Sequence, residues 1–446
     1  VAENSDVSTG LDMIMNNGAN LTLNLLNGLL LSNEPSAKTL HRSLIRWGTM
    51  AILLAGCQAV SASDSKPAGS QAFPNEKVRF QAHRLNTFRS ESCCVGDFNG
   101  DGKLDILAGP YLYPAPDWKP IKVRTVRGTV DEQGKGYCDD FMNLPLDVDG
   151  DGKLDVVTCS WFEKSISWCK NTGTAGGEWP ETAVEKSVNF ESGDLWDIDG
   201  DGRKLEILPH CLPTMWFELN PDKNGSPRFL KHLVSAGESI FGGGVGDVNG
   251  DGRPDIIRPN AWFEAPPNPR TGKWVEHPLP LGKQRDEQSP DTAEICVLDV
   301  NRDGLNDLVC TSAHARGVLW YEQSSSGGQT AWKPHVIDES WTQAHSLVLA
   351  DLNNDGEPEL VTGKRFMAHN GSDPDEYGPL GVYWYDVRRG VNPVWTKHAV
   401  SSGEGFGSGV NIVVVDLDGD GDLDIVTTGK FGGPVWFENL AHKNSR

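Results

Sequence analysis

The sequence predicts an all-β fold, a seven-bladed β-propeller, from three observations. An acidic stretch typified by Asp147-Val148-Asp149-Gly150-Asp151-Gly152-Lys153-Leu154-Asp155 recurs seven times, beginning at Asp97, Asp147, Asp197, Asp247, Asp299, Asp351 and Asp416. The starts lie 50, 50, 50, 52, 52 and 65 residues apart, a period that suits one four-stranded blade per copy. Short apolar runs follow the copies, such as Ile106-Leu107, Val156-Val157, Ile256-Ile257 and Ile425-Val426, so each loop joins two strands.

Oxygen-bearing side chains occupy positions one, three, five and nine of each copy, with glycine at six. They are Asp97, Asn99, Asp101 and Asp105, then Asp147, Asp149, Asp151 and Asp155. The third copy has Asp197, Asp199, Asp201 and, one residue late, Glu206; the fourth has Asp247, Asn249, Asp251 and Asp255. Asp299, Asn301, Asp303 and Asp307 form the fifth, Asp351, Asn353, Asp355 and Glu359 the sixth, and Asp416, Asp418, Asp420 and Asp424 the seventh. This spacing suits calcium, a hard cation that takes about six to eight oxygens, while glycine permits the sharp turn. The opening matches an EF-hand loop, but the last carboxylate comes at nine and no helical pattern flanks it. Loops three, five and six are expected to bind more weakly: the third for its extra residue, the others because Arg302 and Asn354 replace glycine at position four and Glu359 replaces aspartate.

The net charge of -22 is local in origin, since 24 of these loop positions are carboxylates. Seven calcium ions would leave about -8. No basic cluster suggests nucleic acid. Of nine cysteines, Cys57 is set apart below, and the other eight allow 105 pairings. Cys296 and Cys310 are equidistant from Asp303, which places them opposite each other across one hairpin, and Cys159 and Cys169 across the next. Small buried strand residues are the alternative. No CxxC or Cys/His zinc spacing occurs.

Residues 1–57 read as an N-terminal extension and a lipoprotein-type signal. The run Leu21–Leu31 is too short to span a bilayer. Lys38, Arg42 and Arg46 precede the apolar Met50–Ala55, and Leu54-Ala55-Gly56-Cys57 ends like a lipidation site; Val60-Ser61-Ala62 is the alternative cleavage site. Either exports the protein, to the cell envelope as a lipoprotein or to the periplasm or medium, with membrane contact only through the N-terminal lipid. Residues 58–76 are a flexible linker, 77–440 the propeller, and 441–446 a tail. A monomer is expected.

Within each blade the run before the loop, such as Leu347-Val348-Leu349-Ala350 or Ile412-Val413-Val414-Val415, is the innermost strand A, and strand B follows the loop. Strand C carries a Trp-aromatic-acid signature: Trp216-Phe217-Glu218, Trp262-Phe263-Glu264, Trp320-Tyr321-Glu322, Trp384-Tyr385-Asp386 and Trp436-Phe437-Glu438. These are packing residues between blades. Strand D carries aromatic-x-x-His, at His232, His277, His335 and His398. A fifth copy, Phe80 to His83, precedes the first loop, whereas the last blade runs out after strand C. The N-terminal segment is therefore expected to supply its outer strand and close the ring.

These D-[FVIL]-[DN]-x-D-G-x-x-[DE] repeats resemble FG-GAP/VCBS-repeat propellers, known from integrin-α-like heads and secreted bacterial proteins. Ala344-His345-Ser346 and Val361-Thr362-Gly363-Lys364-Arg365-Phe366-Met367-Ala368-His369-Asn370 are similar to bacterial relatives of the aldos-2-ulose dehydratase propeller. That likeness implies metal-assisted action on sugar-derived ketones. It leaves out the isomerase half, because no residues after blade seven match the cupin-like part.

Because the loops crowd one face, the starts of A strands and ends of B strands open on the other. His345, Glu294, His314, Lys364, Arg365 and His369 are the expected catalytic set there. Asp139, Asp140, Glu191, Asp194, His210, Asn411 and Lys430 complete the ligand face. His345 and Glu294 begin strands in adjacent blades and are expected to meet, as general base and carboxylate or as ligands of one transition metal such as zinc. Lys364, Arg365 and His369 are expected to bind an anionic or enolate oxygen. The long last interval holds an insertion, Phe366 to Pro379, expected to cover the face as a lid. The leading expectation is an exported, calcium-stabilised binding module with a carbohydrate or protein ligand. The alternatives are a metal-assisted sugar dehydratase or lyase and an envelope scaffold.

Overall fold

Strand-forming runs separated by turn-forming acidic loops fold into seven four-stranded antiparallel sheets. The computed structural model describes residues 78–441 apart from 175–176, 223, 238–240 and 282–291. The expected signal, Cys57, the linker and residues 442–446 lie outside the described residues. Blades one to six each use four consecutive strands, A to D, as in Ala344–Ala350, Glu359–Lys364, Gly381–Arg388 and Val394–Ser402 of blade six. Blade seven has strands Ile412–Val415, Asp424–Thr427 and Gly433–Asn439, and its fourth strand is Phe80–Phe88, which pairs Phe80 with Asn439 and His83 with Trp436. One extra hairpin, Gly128–Val130 with Gly136–Cys138, lies between blades one and two.

Alternation along strand C explains the packing. Neighbouring strand residues point to opposite faces, so in each Trp-aromatic pair one ring meets the next blade and the other the previous one. Trp216 packs with Phe263 and Ile256 of blade four, while Phe217 joins the cluster around Phe190 and blade two's Val157. Trp320 and Tyr321, Trp384 and Tyr385, and Trp436 and Phe437 divide in the same way. The described core is thus seven clusters, one per blade interface.

The strand C and strand D signatures also form one unit. Each edge histidine stacks on the tryptophan of its own blade, with centroids 3.9–4.7 Å apart at Trp384, Trp216, Trp262, Trp320 and Trp436. His83, His232, His277 and His335 also hydrogen-bond the acid two residues after that tryptophan, at 2.7–3.0 Å. Replacing His335 by alanine is expected to cost about 1–2 kcal/mol, from lost stacking and one hydrogen bond. A shift in the urea midpoint checks this.

The cysteine pairings expected from the sequence do not form. Leu298 pairs with Asp307, so the hairpin centres between Arg302 and Asp303, and Cys296 faces Val309 while Cys310 faces Ile295. An offset of one residue turns two side chains to opposite faces of the sheet, and the two cysteines pack in different clusters. Cys159 and Cys169 are likewise out of register, opposite Ile166 and Val156. All eight described cysteines are free thiols.

Candidate functional site

The acidic loops share one construction. Position four needs a left-handed backbone: Gly100, Gly150, Gly200, Gly250 and Gly419 have φ of 71–77°, and Arg302 and Asn354 adopt φ 58° in its place. The first carboxylate folds back onto the loop, as where Asp97 accepts from the amides of Gly100, Asp101 and Gly102. The ninth-position acid is buried and accepts the amide of position two in all seven loops, at 2.8–3.2 Å. In five loops its other oxygen accepts an amide late in strand C or just after it, as Ala115 to Asp105 and Asn171 to Asp155. Carboxylate oxygens of Asp147, Asp149 and Asp155, of Asp197, Asp199 and Glu206, and of Asp351, Asp355 and Glu359 lie within 4.8 Å of one another in each set.

On the opposite face three imidazoles converge. His345 is the second residue of blade six's strand A, His314 follows blade five's strand B, and His369 sits on the insertion after Lys364. The His314 ring lies 4.1 Å from His369, nearly parallel, and 4.7 Å from His345, edge-on. Asp373 bridges two of them, with one oxygen 3.0 Å from His314 Nδ1 and the other 3.0 Å from His369 Nδ1. His345 Nδ1 lies 3.4 Å from the Gln343 carbonyl, and its Nε2 is buried without a hydrogen-bond partner. Glu191, at the start of blade three's strand A, reaches across so that its carboxylate and the His314 and His345 nitrogens lie within 4.8 Å of one another.

Burial, then Arg365, His314 and His369, hold the His345 pKa well below the usual imidazole value, so the ring is neutral. Burial alone would raise the Asp373 carboxyl, but its hydrogen bonds to His314 and His369 outweigh that and hold it low. Nδ1 engagement of this kind is how metal-binding histidines are commonly oriented.

A buried ionic layer lies beside the imidazoles. Arg365 donates to both oxygens of Glu91 at 3.2 Å and lies 3.8 Å from Glu191. Lys430 sits 3.6 Å over the Tyr137 ring, donates to the Met367 carbonyl at 2.7 Å and lies 3.8 Å from Glu91. Burial lowers its pKa to about 8 against the opposing pull of Glu91. The insertion is tied across this layer to the extra hairpin, by Tyr137 to the Ala368 carbonyl at 2.8 Å and Gly136 N to Asn370 at 2.9 Å.

Two expectations are corrected here. Glu294 pairs with His210, 3.7 Å away, and not with His345; one begins blade five and the other lies in blade three, on the channel wall. Lys364, Arg365 and His369 do not form an anion cradle, because Lys364 donates to the Asp375 carbonyl, Arg365 to Glu91, and His369 binds Asp373. Asp140 forms a buried pair with Arg124 at 2.6 Å, and Asp139 accepts from Trp161 N and Ser160, so both brace blades. Asn411 joins strand A of blade seven to Cys93 of blade one. Asp194 and Glu294 line the channel, where a cavity of about 320 Å³ lies.

Sequence reasoning missed Asp373, Tyr137 and Gln343. Asp373 carried one signal, its place four residues after His369 within the insertion.

FG-GAP-like repeats are matched at residues 147–208 and 299–362, each running from an acidic loop through strand B of the next blade. No curated protein matches the chain. Among 176 matching chains of solved structures is a luciferin-regenerating enzyme, 12% identical with a TM-score of 0.40, the match covering 68% of this chain and 94% of that one. The chain is a seven-bladed β-propeller with FG-GAP-like repeats.

Proposed function

We propose that this propeller is a metal-dependent carbon–oxygen lyase acting at the channel mouth, with calcium in the loops of the opposite face as structural support. One observation carries the reading: the three imidazoles of His314, His345 and His369, oriented through Nδ1 and set beside Glu191. A set of imidazoles suits zinc, iron or nickel better than magnesium or calcium. A neutral, buried His345 with an unpartnered Nε2 fits that group. The bound ion would polarise a ligand carbonyl and acidify the adjacent C–H. Glu191, a quarter exposed and steered by Arg365, takes that proton at its carboxylate. The C–H and neighbouring C–O bonds break, a C=C bond forms, and the proton leaves with the hydroxyl as water. The substrate class, a sugar-derived hydroxyketone, rests on the resemblance to aldos-2-ulose dehydratase relatives. An exported carbohydrate- or protein-binding module is the second reading, favoured by the channel cavity.

Elemental analysis after mild chelation and dialysis tests this. About one zinc, iron or nickel per chain beside calcium is expected; calcium alone would overturn the lyase reading. Asp373→Asn is expected to weaken transition-metal affinity about 10–100-fold, the usual effect of losing an orienting partner, as read by competition with a chromogenic chelator.

A further inference from the structure

We propose that the channel cavity behind the imidazoles binds an ammonium group, held by Glu294 and Asp194. The idea extends the ligand reading above but does not require the metal. The cavity, about 320 Å³, is within the size range of small-molecule sites. Leu195, Val245, Val297 and Leu347 give it apolar walls, and Asp194 and Glu294 enter it from blades three and five.

Glu294 is only 6% exposed, lines this space, and makes no hydrogen bond among the described residues. Its nearest partner, His210 Nδ1, lies 3.7 Å away, while the same nitrogen is 2.8 Å from the Ser192 hydroxyl. That ring brings no charge, because burial, then Arg258, lowers its pKa to about 3. Arg258 is itself spent on the carbonyls of Gly242 and Pro209, at 3.0 and 2.9 Å. Lys204 also lines the cavity, exposed and over the Trp196 ring, and its charge acts on Asp194 without an ion pair or hydrogen bond to it among the described residues. Glu191 adds a further negative charge, and the buried Cys296 thiol none.

Two carboxyl groups therefore face an apolar space with no bonded cation. Burial, then Asp194, raises the Glu294 pKa well above its usual value, and burial raises that of Asp194 to about 6. Buried carboxylates are stable when a cation pairs with them. A primary ammonium supplies the charge and three donors, and the aliphatic walls fit the carbon chain behind it. A neutral polyol would satisfy hydrogen bonds but supply no charge to offset the cost of ionising either carboxyl group.

The test uses n-butylammonium, with n-butanol and butyrate as neutral and anionic controls. They are titrated into the intact protein by calorimetry and ligand-observed NMR. Butylammonium is expected to bind at least about tenfold more tightly than either control, a difference of about 1.4 kcal/mol. Glu294→Gln and Asp194→Asn, with unchanged circular dichroism, are expected to lose that preference. Equal binding of butylammonium and butanol, no binding to the wild type, or a preference that survives both substitutions would overturn the proposal. Metal content of the same samples separates the two ideas. A protein without transition metal that still prefers butylammonium sinks the lyase reading alone; one with metal and no preference sinks the ammonium site alone.

Discussion

Replacing His345 by alanine is expected to empty the transition-metal site, taking metal content from about one per chain to near zero and abolishing sugar-ketone elimination. The ligand atom of His345 lies within 4.8 Å of those of Glu191 and His314, and of the three clustered imidazoles it is the one whose Nε2 is buried with no hydrogen-bond partner among the described residues. Removing it leaves His314 and His369, both anchored to Asp373 on one side of the site. Two imidazoles on one wall lack the facing ligand that a tetrahedral site needs. The fold is expected to tolerate the change, since His345 contributes one long contact to Gln343 and an edge-on ring contact. His210→Ala is the control. That histidine is as deeply buried and its Nε2 also lacks a partner, but its Nδ1 is bonded to Ser192 and it lies by Glu294, away from the three imidazoles, so its loss is expected to leave metal content unchanged. If metal persists in His345→Ala, or disappears in His210→Ala, the assignment of the site fails.

This pair of variants also shows where the sequence was readable. Topology alone placed His210, His314, His345 and His369 on the same face, because the acidic loops define which strand ends open there. It did not divide them. Which side chains meet across a propeller channel depends on blades distant in sequence and on the depth of each residue along its strand. Glu191 of blade three therefore reaches His345 of blade six, whereas Glu294, in the blade next to His345, turns to His210. Strand C was legible to the residue, since period-two alternation fixes the faces of Trp216 and Phe217 regardless of long-range geometry. The cysteine pairs failed for a related reason: the hairpin centre lies half a residue from the position that would pair Cys296 with Cys310 and one and a half from that for Cys159 and Cys169, and no sequence signal fixes that centre.

Calcium removal is the second large effect expected. With free calcium about 100-fold above Kd, each loop that binds adds about 2.7 kcal/mol to folded stability. Several such loops together are comparable to the ordinary margin of about 5–15 kcal/mol. A calcium-selective chelator is therefore expected to lower the melting temperature steeply, with recovery on adding calcium and little on adding equal magnesium.

Two substitutions in the first loop separate ion binding from framework. Asp101, exposed at position five, accepts, among the described residues, only the Lys103 amide two residues on, so Asp101→Ala is expected to destabilise the protein in calcium and hardly at all in chelator. Asp105 is fully buried and accepts the amides of Phe98 and Ala115, tying the loop to the end of strand C. Its loss strands the buried Phe98 amide, at about 1–3 kcal/mol, and the half-buried Ala115 amide at less. Asp105→Ala is therefore expected to destabilise the protein in calcium and in chelator alike. Equal sensitivity of both variants to chelator would mean that the ninth position is only an ion ligand. If neither variant nor the wild type responds to chelator, the loops are acidic hairpin turns that fold without calcium.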